Sequence, residues 1–98
     1  MAILEITVVP LGTKETSVSA YVAECLRVLE EEGVKYQLTP MSTIIEGELD
    51  HLFDIAKKLH HTPFETGEKR VTTTIRIDDR RDKTSTLEGK VAAVKEKL

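Results

Sequence analysis

Two carboxylates, Glu5 and Glu46, and two guanidinium groups, Arg70 and Arg76, fall in segments that read as β-strand. Paired carboxylates can move protons or neutralise a cationic ligand. A guanidinium can hold a phosphate or carboxylate through two parallel hydrogen bonds. Acid–base catalysis needs one such group poised in a cavity, and the chain offers only generic Glu and His. Glu–Arg pairing across strands or across an interface accounts for all four groups without any reaction. His51, His60 and His61 suggest a metal by number alone. Neighbours on a helix point about 100° apart, so His60 and His61 cannot easily hold one ion, and no Cys/His spacing resembles a zinc site. Cys25 lies in an apolar helical stripe with no base beside it and reads as a buried structural thiol. Pro10-Leu11-Gly12 is too short for a phosphate loop, and neither GxxxxGK[ST] nor GxGxxG occurs. The expectation is a non-enzyme with no catalytic residue, metal or cofactor.

Alternating and helical spacings define the elements that position these groups. Residues 2–9, AILEITVV, are β-branched and partly alternating, a strand with Ala2, Leu4, Ile6 and Val8 on its cleaner apolar face. Ser17 is a suitable N-cap, and Val18, Tyr21, Val22, Cys25, Leu26 and Leu29 follow at helical spacing, predicting a helix over 17–32 closed by Gly33. Strands are expected over 34–39 and 41–47, with Pro40 marking an edge or a bend between them. Leu49, Leu52, Phe53, Ala56 and Leu59 predict a helix over 48–61, with Pro63 and Gly67 in the loop after it. Arg70 to Arg76 alternates again inside a strand over 69–78. Ser85-Thr86-Leu87-Glu88 has the S-x-x-E form of a capping box ahead of a terminal helix. The order βαββαβ plus a C-terminal helix is the split βαβ, or ferredoxin-like, α+β arrangement. It places helices on one face of a four-stranded antiparallel sheet and leaves the other face open.

If the apolar sets face the helices, the open face carries Ile3, Glu5, Thr7 and Val9 from the first strand. It also carries Lys35, Gln37 and Thr39 from the second, Ser42, Ile44 and Glu46 from the third, and Arg70, Thr72, Thr74 and Arg76 from the fourth. A one-residue slip would reverse any of these sets. A face of hydroxyls, ion-pairing groups and a few aliphatic side chains suits pairing with the sheet of a second copy. It also suits a pocket for a polar heterocycle, and the two uses are compatible. Ile3, Glu5, Thr7, Val9, Ile44, Arg70, Thr72, Thr74 and Arg76 are the expected interface residues.

Composition narrows the function classes. The chain has 98 residues and a net charge of −3, with no basic cluster longer than Arg80–Arg81. Nucleic acid and anionic membrane surfaces are therefore not expected partners. Length predicts one domain over 1–98. Met1 leads straight into a strand pattern with no basic n-region, and no apolar run approaches the roughly 20 residues of a membrane span. A cytoplasmic protein is the expectation.

PLGT at 10–13, YQLTPMSTIIEGE at 36–48 and RVTTTIRIDDRRDK at 70–83 together resemble the small thiamine-binding protein family, over essentially the whole chain. The resemblance implies a ferredoxin-like domain that pairs through its sheet into dimers or tetramers. It also implies a ligand such as thiamine or its hydroxymethylpyrimidine moiety, and no catalytic activity. Thr39, Met41, Ser42 and Thr43 match within TPMST, and Pro10, Leu11 and Gly12 within PLG. With Glu46 as an anionic acceptor for a cationic aminopyrimidine, these are the expected ligand residues. The rival readings are a small dimeric ferredoxin-like enzyme and a structural or regulatory protein without ligand.

Overall fold

The computed structural model describes residues 1–13 and 19–98. The elements run β1 (Ala2–Pro10), α1 (Ser19–Glu32), β2 (Lys35–Leu38), β3 (Thr43–Gly47), α2 (Leu49–Glu65), β4 (Val71–Asp79) and α3 (Leu87–Lys95). The strands form one antiparallel sheet in the order β2-β3-β1-β4. This is the ferredoxin-like α+β arrangement. The expected cap at Ser17 and the start of the apolar stripe at Val18 lie outside the described residues.

Register fixes the two faces. Leu4 stands opposite Ile45 and Ile77, and Ile6 opposite Thr43 and Ile75. That face meets α1 and α2, and its core joins Ala2, Leu4, Ile6 and Ile45 to Cys25, Leu29, Leu52, Ile55, Ala56 and Leu59. Leu4, Leu29, Ile45, Leu52, Ile55 and Leu59 are almost wholly buried, each worth about 1.5–3 kcal/mol relative to exposure. The opposite face pairs Glu5 with Ile44 and Arg76, Thr7 with Thr74, and Val9 with Thr72. Every strand thus presents the side predicted from its alternation, with the aliphatic set hidden on the central strands β1 and β3 and less fully covered at the edges, where Leu38 of β2 and Ile75 of β4 are 51% and 41% exposed.

Several strand ends differ from the sequence reading by one or two residues, and three differences have a clear physical cause. Pro40 marks a bend between strands as expected, but the turn spans Thr39–Ser42, so β2 ends at Leu38 and β3 begins at Thr43, not at Met41. The Thr39 hydroxyl accepts from Ser42 N at 3.0 Å, and Thr39 N donates to Ser42 O at 2.9 Å. Side chain and backbone together close this turn. Second, α2 continues through Pro63 to Glu65. Pro63 lacks the N–H for one helical bond, but its ring is among the most deeply buried groups. Thr62 Oγ1 also donates to Lys58 O at 3.0 Å. Burial outweighs the lost bond, and the helix ends only where Thr66, Gly67 and Glu68 donate back to Pro63 and Phe64. Third, α3 is capped by Thr86, whose hydroxyl accepts from Gly89 N at 2.9 Å, in place of a Ser85–Glu88 box.

The first turn of α3 rests on the otherwise open sheet face. Leu87 is buried and shares a cleft with Ile3 and Ile44, which explains why Ile3 is only 8% exposed. Beyond Leu87, α3 stands in solvent with Val91, Val94 and Leu98 exposed.

Candidate functional site

The β2–β3 turn roofs a cavity of about 470 Å³ between the sheet and α1. Its walls are Ile6 and Val8 of β1, Ser19, Val22, Ala23, Cys25 and Leu26 of α1, and Leu59 of α2. Leu38, Thr39, Pro40, Met41, Ser42 and Thr43 complete it from the turn and its flanking strands, and Thr7 and Val9 of β1 border it. This volume lies in the range typical of small-molecule sites, about 300–1,000 Å³. No charged side chain lines it among the described residues. Burial pushes the Cys25 thiol up from its ordinary value, so at neutral pH that wall is also uncharged.

The hydroxyls around the cavity differ in how far they are committed. Thr39 Oγ1 also donates to Ser42 O at 2.8 Å, so its hydroxyl is used inside the turn. Ser42 borders the cavity with its hydroxyl already engaged, its Oγ donating to Glu5 Oε2 at 2.9 Å. Thr43 projects from the helix side of β3 and is 8% exposed.

The expected ligand residues divide into groups. Thr39, Met41, Ser42 and Thr43 come together at the cavity, with Met41 exposed at its mouth. Pro10, Leu11 and Gly12 continue β1 past Val9 but are not among the walls. Leu11 N donates to Arg70 O at 2.8 Å, and Gly12 takes a positive φ of 76° to turn the chain. Glu46 lies on the opposite face. Its Oε1 accepts from Leu87 N at 3.0 Å and its Oε2 lies 3.0 Å from Lys35 Nζ. This carboxylate is buried and holds the first turn of α3.

The expected interface residues share the open face as far as β4 extends, while Arg70 precedes that strand. Arg76 Nε lies 3.4 Å from Glu5 Oε1. A cleft of about 330 Å³ runs beneath α3, bordered by Ile3, Glu5, Gln37, Ile44, Arg76 and Asp78. Among the described residues no group of His, Cys, Asp and Glu could hold a metal ion. His60 Nδ1 instead lies 2.6 Å from Thr73 Oγ1.

Sequence reading missed the α1 wall. Ser19, Val22, Ala23 and Leu26 follow the spacing of any core-facing stripe. What separates them from Leu29, which lies wholly in the core, is their place beside the β2–β3 turn Thr39–Ser42, a tertiary fact with no local signature.

The model of the family described as thiamine-binding protein matches residues 4–95. The UPF0045 protein YqgV of Bacillus subtilis is 53% identical, over 100% of this chain and 98% of its own length. The hypothetical protein MJ1052 of Methanocaldococcus jannaschii superposes with a TM-score of 0.87 at 35% identity, covering 97% of this chain and 96% of the other. A Thermotoga maritima protein provisionally described as acting in thiamine biosynthesis or salvage superposes with a TM-score of 0.77 at 26% identity, covering 95% and 97%. Sequence, fold and coverage agree, and the chain belongs to the thiamine-binding protein family.

Proposed function

We propose that this protein binds thiamine or its hydroxymethylpyrimidine moiety in the cavity under the β2–β3 turn, without transforming it. We further propose that it assembles with copies of itself through the open sheet face. The observation that carries the ligand reading is the cavity itself. It is of small-molecule size and lined by the TPMST segment in a chain of this family. Aliphatic walls from Ile6, Val8, Val22 and Leu26 suit a flat ring, and the turn supplies polar atoms at one end. Glu46 is engaged with α3 and Lys35. The positive charge of thiamine is therefore left at the mouth, in water, and is not paired inside.

Self-assembly is favoured by Ile44 and Val9 on a face that α3 covers only at one end. Burying them against a second sheet contributes about 25 cal/mol per Å² of apolar area. Ile3, Glu5, Thr7, Thr72, Thr74 and Arg76 surround them, with Arg70 just before β4.

Titration calorimetry and thermal melting with thiamine, its phosphates and hydroxymethylpyrimidine test the ligand reading. A ligand present at one hundred times its Kd stabilises the fold by about 2.7 kcal/mol, which for a chain this small raises Tm by more than about 10 °C. No heat and no thermal shift with any of these compounds, from protein that carried no ligand through purification, would remove the reading in favour of a structural or regulatory role.

A further inference from the structure

We infer that Thr43 is the residue that orients the ligand, its hydroxyl bonding to the polar edge of an uncharged heterocyclic ring; this rests on the proposal that the cavity is the ligand site. The assignment follows from which hydroxyls remain available. Those of Thr39 and Ser42 are committed, the first within its own turn and the second to Glu5 on the far face. Ser19 makes an interaction of its own and is exposed at the start of α1. Thr7 stands opposite Thr74 in the row that faces away from the helices. Cys25 offers a protonated thiol, a weak donor. Thr43 remains. It is 8% exposed, faces the helix side and lines the cavity, and its hydroxyl has no hydrogen-bond partner among the described residues.

No buried side-chain oxygen or nitrogen among the described residues lacks a partner, so the Thr43 hydroxyl is open to water in the cavity. A ligand that enters can take the place of that water at the hydroxyl. Because a hydroxyl both donates and accepts, Thr43 can meet either a ring nitrogen or an exocyclic amino group. The absence of charge among the described walls sets the ligand class. An ionic group carried inward would lose its water with no counter-charge to replace it. The neutral ring therefore occupies the cavity, and charged substituents stay at the mouth beside Met41.

The test measures the affinity of wild type, Thr43→Val and Thr43→Ser for hydroxymethylpyrimidine and for thiamine, together with the Tm of each unliganded protein. Valine keeps the shape and removes the hydroxyl. It should weaken both ligands by about tenfold, the worth of one neutral hydrogen bond, while the unliganded Tm stays level or rises. Serine should stay within roughly threefold of wild type, since it restores the hydroxyl. Wild-type affinity for hydroxymethylpyrimidine should not change with salt, as expected where no charges pair. Wild-type affinity in Thr43→Val would overturn the assignment and leave the cavity reading standing. A lowered Tm with unchanged affinity would overturn it too, by showing a purely structural residue. Failure of wild type to bind either compound would remove the cavity reading and the assignment with it.

Discussion

Glu46 shows how one side chain can carry an element. It was expected to face a ligand, and its carboxylate instead meets Leu87 N and Lys35. Glu46→Ala should destabilise the protein by about 1–3 kcal/mol, the cost of leaving a buried donor unmet. Glu46→Gln keeps an acceptor for Leu87 N and should recover most of that loss. Urea unfolding of the two variants checks this, and equal losses would contradict it. Cys25 supports a second expectation. Burial raises its thiol and leaves it 7% exposed, so at pH 8 the native protein should react with a thiol reagent far more slowly than the unfolded chain. Bound ligand should slow it further, because Cys25 lines the cavity. A native rate equal to the denatured rate would place the thiol at the surface.

At the scale of elements, α3 is held at one end. Lys35 bridges Glu88 and Glu46 at its first turn, at 2.6 and 3.0 Å, and the rest of the helix is exposed. Hydrogen bonds to Glu88 and then Glu46 raise the Lys35 ammonium above its ordinary value, and the bond from Lys35 lowers Glu88. A raised Lys contributes fully below its unfolded value and loses its contribution as pH rises through the folded one. A lowered Glu contributes above its unfolded value and loses it as pH falls through the folded one. The docking of α3 should therefore be flat from about pH 5 to about pH 10 and loosen outside that window. Amide exchange at Leu87 reports it, and loosening near neutrality would contradict the account. The elements also show what the sequence discloses. Strand faces were legible because alternation has a period of two and the sheet hides one side. The run through Pro63 and the cap at Thr86 were not legible, because deep burial of a ring decides the first and a carboxylate from β3, remote in sequence, helps organise the second. Of the candidate site, the turn residues Thr39–Thr43 were legible through their motif. The α1 wall and the commitment of Glu46 emerge only once the chain is folded.

For the whole molecule, the proposed self-assembly sets the expectations. The radius of gyration is 14.6 Å and the extents are 45 × 30 × 20 Å, against about 13 Å for a compact chain of this length. The exposed Val91, Val94 and Leu98 of α3 and the uncovered part of the sheet provide surface that a second copy can bury. At micromolar concentration, light scattering should give a multiple of the 11.0 kDa chain mass. Within the single chain the Arg76–Glu5 pair is exposed, with 81% and 36% of the side chains accessible. Arg76→Ala should therefore change the stability of the fold by less than about 1 kcal/mol. Once buried between sheets, the same truncation costs about 3–5 kcal/mol, so association should weaken far more than folding. No helix is long and apolar enough to cross a membrane among the described residues.

The central claim is that the ligand lies under the β2–β3 turn on the helix side of the sheet. Backbone amide shifts recorded while hydroxymethylpyrimidine is titrated in test it most directly. The account predicts saturable shifts at Thr39, Met41, Ser42 and Thr43 together with Val22, Ala23 and Leu26 of α1. Shifts confined to Glu5, Gln37, Ile44 and Arg76 on the open face, or none at saturating ligand, would contradict it.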